Sequence, residues 1–127
     1  SENSTVLLDE KGVNVLTQTD EKFLTLLMDF IESAWSNTNL KVDDFSKPMG
    51  CSKSQLYRKL MLLTGKSPNT IIKEYRLREA LTLLNSNTSN ISAIAFETGF
   101  SSPSYFSKCF QKRYGQLPSD FLPAKAG

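Results

Sequence analysis

Twice along this 127-residue chain a small hydroxyl side chain is followed four residues later by a cation: Ser54 and Arg58, then Ser104 and Lys108. On a helix that spacing puts both side chains on one face, one turn apart. Short side chains at such a place let a backbone approach closely, and the cation beyond can reach a guanine edge or a phosphate. Gln55 and Tyr105 stand beside the hydroxyls, so Ser54, Gln55, Arg58, Ser104, Tyr105 and Lys108 are the candidates for contact with DNA bases. Ser52, Lys53, Tyr57, Lys59, Ser102, Ser107, Lys112 and Arg113 are the candidates for contact with DNA phosphates. The competing reading of each set is a solvated helix face. Tyr57 lies between two faces, to stack on sugar or close a core rim. Arg113 falls on the core side, where its stem would snorkel.

The same inventory argues against catalysis. Histidine is absent, which removes Ser-His-Asp and Cys-His nucleophiles, imidazole metal sites and a His base. Cys51 and Cys109 lie far apart without CxxC spacing, fitting neither zinc nor a disulfide scaffold, and read as reduced thiols in a cytoplasmic protein. The length allows one domain, or two small ones, and no large substrate cleft. The expectation is no enzyme, no metal and no cofactor. Charge is divided unevenly: residues 1–40 hold two Lys/Arg against seven Asp/Glu, net −5, and residues 41–127 hold thirteen against six, net +7. A basic body of that size is the footprint of a polyanion partner, although a solvated basic surface looks the same in composition. No apolar run approaches membrane-spanning length. A start at Ser1 rather than Met reads as a piece of something longer.

The elements that would hold these faces are helical. Residues 1–18 show no sustained period and read as a connector arm that need not be ordered, with Val6-Leu7-Leu8 and Val13-Asn14-Val15-Leu16 able to pair loosely as strands. Thr19 or Asp20 would cap a helix burying Phe23, Leu27, Phe30, Ile31 and Ala34. A short helix with Leu40, Val42 and Phe45 runs toward Gly50, with Pro48 awkward in its last turn. A helix over 52–64 buries Leu56, Leu60 and Leu63 and turns Ser54 and Arg58 outward. Pro68 opens a long helix to about Leu84, on which Ile71, Ile72 and Tyr75 lie nearly opposite Leu77, Ala80, Leu81 and Leu84. An apolar stripe that changes face suits a helix bridging two small cores; the alternative is a helix buried all round. Tyr75, Arg76 and Arg78 on it are expected to be structural. Residues 85–89 read as a loop, Asn90 caps a helix with Ile91, Ile94 and Ala95, and a last helix over 102–114 buries Phe106, Phe110 and Tyr114.

Laid over one another, residues 50–72 and 99–122 match. Gly50 meets Gly99 and, after one inserted residue, Ser52 meets Ser102, Leu56 meets Phe106, Arg58 meets Lys108, Leu60 meets Phe110, Gly65 meets Gly115 and Pro68 meets Pro118. Upstream, Val42 and Phe45 meet Ile91 and Ile94. A short helix, a tight Gly turn and a second helix form a helix-turn-helix, here duplicated. The expected fold is all-α, with about seven helices in two helix-turn-helix subdomains over 19–67 and 87–127, joined by a bridging helix over 68–86. A bridge of about 18 residues spans roughly 27 Å, which could set two recognition helices in successive major grooves roughly 34 Å apart.

The residues carrying this pattern resemble the AraC-type family of transcriptional regulators. Ile91-Ser92-Ala93-Ile94-Ala95, Gly99-Phe100-Ser101-Ser102 and Ser104-Tyr105-Phe106-Ser107-Lys108-Cys109-Phe110, with Gly115 and Pro118, resemble its signature. Ser52 through Leu60, Leu63-Thr64-Gly65, Ser67-Pro68 and Arg76-Leu77 resemble the first half, and the likeness covers about 19–122. The lead-in Asp20-Glu21-Lys22-Phe23 is most similar to the output domain of hybrid two-component regulators. The resemblance implies double-stranded DNA as partner, a sensor and receiver portion ahead of this segment on a longer chain, RNA polymerase downstream, and a homodimer of the full-length protein. It also implies a cytoplasmic domain without membrane contact of its own, on a parent that can be membrane-anchored. Pro48 departs from the pattern and predicts a shortened second helix in the first unit. Leu117 stands in place of a usual Thr, Phe121-Leu122 in place of Tyr-Arg, and Pro103 at the start of the second recognition helix. The rival function is a helical protein-interaction module with a basic face, which would have no reason to repeat one exposed pattern after its own Gly turn.

Overall fold

A computed structural model describes residues 17–86 and 89–122, and beyond them the backbone of two short strands, β1 (Leu7–Leu8) and β2 (Asn14–Val15). The strands pair antiparallel, Leu7 opposite Val15 and Leu8 opposite Asn14. The rest of the connector arm expected over 1–18 lies outside the described residues, except that Gln18 is already helical. Among the described residues the remainder is all-α, with six α-helices and two 3-10 turns where about seven helices were expected.

Helix α1 (Gln18–Ala34) is capped two or three residues earlier than expected: the Thr17 hydroxyl accepts the Asp20 amide at 3.1 Å, so Thr17 takes the capping role. Asp20 and Glu21 then occupy the first turn, where carboxylates meet the positive end of the helix dipole. Leu27 and Ile31, four apart, are buried; Phe30 is half-buried, edge-on to Phe45 at 4.7 Å. The short helix anticipated before Gly50 is a 3-10 turn, Val42–Phe45, running into α2 (Ser46–Met49). Pro48 fits because it stands in the first turn of α2, where its missing N–H has no intrahelical partner to lose.

Helix α3 (Lys53–Thr64) buries Leu56 and Leu60 and ends at Gly65. Its twelve residues equal those of α6 (Pro103–Tyr114), so the shortening expected from Pro48 does not reach the second helix of the first unit; it falls on α2 instead. Helix α4 (Pro68–Ser86) opens on a buried proline and runs two residues past Leu84, so Asn85 and Ser86, read from sequence as loop, are helical. Ile72 is buried about 140° around α4 from the buried Leu77.

Helix α5 (Ile91–Glu97) is capped by Asn90, whose side chain accepts the Ala93 amide at 2.8 Å. Thr98 closes it, fully buried because its hydroxyl donates to the Ile94 carbonyl at 2.7 Å. The following turn needs Gly99 for two reasons. Its φ of +90° is one that side chains resist, and a Cβ would stand 2.7 Å from Arg76 Nε and 3.0 Å from the Trp35 carbonyl. Gly50, at φ +64°, has only the first reason, since open space surrounds it.

The chain forms two compact units. The first comprises the described residues of Ser1–Ala34 and Lys41–Thr70, the second Trp35–Leu40 and those of Ile71–Gly127. The division thus differs from the contiguous one expected. Trp35–Leu40 belongs to the second unit, where Arg76 Nε donates to the Trp35 carbonyl at 2.6 Å and Nη2 to the Asn37 carbonyl at 2.7 Å. The second core gathers Leu77, Ala80, Leu84, Ile94, Ala95, Phe100, Phe106, Cys109 and Phe110. It carries an aromatic run from Phe100 through Phe106 and Phe110 to Tyr114 and Phe121, ring centroids 4.7 to 5.7 Å apart.

Candidate nucleic-acid interface

Both candidate recognition helices are set by the same small parts. Ser52 precedes α3 in extended conformation and its hydroxyl accepts the Gln55 amide at 3.1 Å; Ser102 does the same for α6 with the Tyr105 amide, also at 3.1 Å. Gly65 and Gly115 end the two helices at φ +72° and +73°. Pro68 and Pro118 are buried beyond them. Such caps satisfy amides that α3 and α6 would otherwise leave unpaired at their starts.

On α3, Ser54, Gln55 and Arg58 are exposed along one face. The helix stands as a ridge between two grooves of the first unit. One, of about 570 Å³, has Gln55, Arg58 and Lys59 on its wall, with Phe23, Met49 and Leu62 as apolar lining; the other, of about 470 Å³, has Lys53, Ser54 and Tyr57. A ridge with cations facing both flanks is the shape a helix needs to enter a duplex groove between two phosphate rims. Gln55 is partly committed, because its Oε1 accepts the Ser52 amide at 2.8 Å. Its NH2 group stays free to donate, and a bidentate contact to adenine would require that cap bond to open.

On α6, Ser104, Tyr105 and Lys108 are exposed and Ser107 is half-buried. The Tyr105 ring, 46 % exposed, leans 6.1 Å from Phe100 and receives Lys73 Nζ at 5.9 Å from its centroid. Lys73 therefore joins this face from α4. It carried no motif in the sequence; only the packing of α4 on α6 within the second unit brings it there.

A family model for the helix-turn-helix domain matches residues 45–124. The chain is 39% identical over 106 residues to histidine kinase P4 of Formosa agariphila, covering 84% of this chain and 8% of that protein. It is 34% identical over 107 residues to the transcriptional regulator ExsA of Pseudomonas aeruginosa, covering 84% of this chain and 38% of that protein. A crystal structure of an AraC-type transcriptional regulator from Chromobacterium violaceum superposes with a TM-score of 0.72 at 27% identity, over 80% of this chain and 89% of that one. The chain belongs to the AraC-type helix-turn-helix family of DNA-binding domains. It spans well under half the length of either relative.

Within this AraC-type domain the remaining candidates separate by their partners. Lys53 pairs with Asp43 at 3.3 Å with both side chains more than 60% exposed, an ion pair weak enough to yield to a phosphate. Lys59 is differently placed: its Nζ lies 3.3 Å from Oδ1 of the wholly buried Asp20 and 5.0 Å from the Phe23 ring centroid. The structure thus gives Lys59 an internal occupation that sequence spacing did not show. Tyr57 keeps 50 % of its surface and lines the second groove rather than closing the core. Lys112 and Arg113 are both exposed, the latter over the Tyr114 ring at 5.4 Å. Arg113 is therefore not on the core side as expected, because the last turn of α6 gives Tyr114 rather than Arg113 to the core.

On α4, Arg76 holds two carbonyls and Arg78 stacks 4.9 Å over Tyr75, itself 5.9 Å from Trp35. Each has a structural occupation, and burial pushes the Arg76 guanidinium below its ordinary value, with Tyr105 acting in the opposite direction. Phe121 and Leu122 pack against the second core. Cys51 and Cys109 are free thiols, half-buried and buried. No helix among the described residues is long and apolar enough to cross a membrane.

Proposed function

We propose that the domain reads double-stranded DNA with both units, α3 and α6 each entering a major groove and the two lying in successive grooves. Bases are read by Ser54, Gln55 and Arg58 from the first helix and by Ser104, Tyr105 and Lys108 from the second. Ser52, Lys53, Tyr57, Ser102, Ser107, Lys112 and Arg113 meet phosphates, which supply most of the affinity and fix the register. The observation that carries this reading is the pair of twelve-residue helices with matching serine caps and glycine ends, each turning hydroxyls and a cation to solvent. A binding function without a reaction follows.

We place this cytoplasmic domain at the output end of a longer chain, behind a sensor and receiver portion that can be anchored in a membrane, with two full-length chains pairing on DNA and RNA polymerase as the downstream partner. Support for a longer, kinase-bearing chain comes from the likeness to histidine kinase P4, of which this chain spans 8%.

The test is selection from a random duplex pool with the purified domain, then titration of the winner beside a scrambled duplex at several salt concentrations. Two short enriched motifs about one helical turn apart are expected. Weak, salt-labile binding without a motif would remove DNA reading by this domain alone.

A further inference from the structure

Asp20 has no exposed surface, and its Oδ1 lies 3.3 Å from Nζ of Lys59, whose side chain is 24% exposed. Neither oxygen of that carboxylate accepts a well-formed hydrogen bond among the described residues. The Lys59 ammonium is therefore the group that compensates a charge taken out of water. A buried carboxylate stripped of its partner is strongly unfavourable, so the pair resists being opened. Two further contacts stiffen it: the Phe23 ring faces the ammonium at 5.0 Å, and the Asp20 amide is tied to the Thr17 hydroxyl at 3.1 Å.

The neighbours of Lys59 make this arrangement matter. Arg58 precedes it on α3 and is exposed, and Lys53 at the start of the same helix keeps 61% of its side chain exposed. If all three cations met phosphates, affinity for any duplex would rise and discrimination would fall, because phosphate contacts carry no sequence information.

We propose that Asp20 is a positioning residue for DNA recognition: it holds Lys59 as an internal substitute for a phosphate, withdraws that cation from the backbone-contacting set, and leaves Arg58 as the cation this helix face turns to the duplex. This rests on the DNA-binding reading above. Asp20 touches no DNA in this arrangement and acts through Lys59.

The experiment compares wild type, Asp20→Asn and the double variant Asp20→Asn/Lys59→Met, each titrated with the selected and the scrambled duplex over a range of salt. Release of Lys59 in Asp20→Asn is expected to steepen the slope of log K against log salt by about 0.9, the value of one added phosphate contact. Binding to the scrambled duplex should tighten several-fold more than binding to the selected one. The double variant, which buries no charge, should keep the wild-type slope. A slope shallower by about 0.9 in the double variant would mean that Lys59 meets a phosphate in the wild type and would overturn the proposal. An unchanged slope in a folded Asp20→Asn would do the same, and should that variant fail to fold the double variant alone decides.

A second readout uses no DNA. Acylation of the free protein with a small amine-reactive ester, mapped by mass spectrometry, should modify Lys59 more slowly than Lys53 in wild type and approach the Lys53 rate in Asp20→Asn. Equal rates in wild type would refute the internal pairing itself. Protection of Lys59 without any selected motif would locate the failure in the DNA reading instead.

Discussion

The two helix-turn-helix units share a frame and differ in filling. Helices α3 and α6 have the same length, the same serine cap and the same glycine end. Yet α3 buries Leu56 and Leu60, and α6 buries Phe106 and Phe110 inside a run of packed rings. The first unit also hides a charged Asp20, where the buried polar side chain of the second is Thr98, satisfied by its own helix. Duplication thus preserved the parts that fix backbone geometry, which admit few substitutes: a hydroxyl at the cap, a glycine at positive φ, a proline where no N–H is needed. Core volume and exposed chemistry, which admit many, diverged.

The sharpest way to break that comparison is in the cores. Phe110→Ala removes a ring that meets Phe106, Tyr114 and Phe121, and should cost about 3 to 5 kcal/mol. Leu60→Ala at the matching position of the first unit should cost about 2 to 4 kcal/mol. Denaturant unfolding followed by circular dichroism measures both, and Trp35, the single tryptophan, which groups with the second unit, adds a fluorescence readout. A Leu60→Ala loss equal to or above that of Phe110→Ala would contradict the view that the aromatic run is the stronger core.

The turns come next. Gly99→Ala must place a Cβ at φ +90° and displace Arg76 from Trp35, with an expected cost of about 2 to 4 kcal/mol from backbone strain and overpacking together. Gly50→Ala meets open space and should cost about 1 kcal/mol of left-handed strain. Thermal unfolding of the two variants compares them directly. Equal losses would show that Arg76 swings aside without penalty.

How far each feature could be read in advance follows the same division. The caps, glycines and prolines of the repeat were legible because their roles are local: Ser52 and Ser102 act on residues three along, and Gly50 and Gly99 on their own backbones. The outward faces were legible for the same reason, since helical period alone turns Ser54 and Arg58 to solvent. What escaped was long-range. Lys73 reaches Tyr105 across 32 residues, Arg76 reaches Trp35 across 41, and Lys59 reaches Asp20 from another helix. No period or spacing encodes those meetings. The cap of α1 is ambiguous in sequence for a smaller reason: Thr17, Thr19 and Asp20 are all good caps by type, and what distinguishes Thr17 is the hydrogen bond its hydroxyl accepts from the Asp20 amide.

On the binding faces, the comparison is sharpened by removing the two cations one at a time. Arg58→Ala should weaken the selected duplex by about 1 to 3 kcal/mol and relax preference at one base position. Lys108→Ala should cost less, about 1 kcal/mol, and relax preference at its base position only weakly, because an ammonium lacks the planar fork that reads guanine in two bonds. Titration against single-base variants of the selected site separates these outcomes. Equal loss on every duplex for Arg58→Ala would reduce it to a phosphate contact, and no loss would remove it from the interface.

The smallest effect separates the two caps. Ser52 works in a reciprocal pair, accepting from the Gln55 amide while its own amide donates to Gln55 Oε1. Ser102 accepts from Tyr105 and is followed by Pro103, which has no amide to satisfy and whose ring already holds the helical φ. Ser52→Ala is therefore expected to cost about 1 kcal/mol and Ser102→Ala about 0.5 kcal/mol, read by thermal unfolding. Hydrogen exchange adds a local measure: the Gln55 amide should lose more protection in Ser52→Ala than the Tyr105 amide does in Ser102→Ala. Equal losses would mean that proline contributes no rigidity to the second helix start, leaving hydroxyl capping as the device on which both recognition helices equally depend.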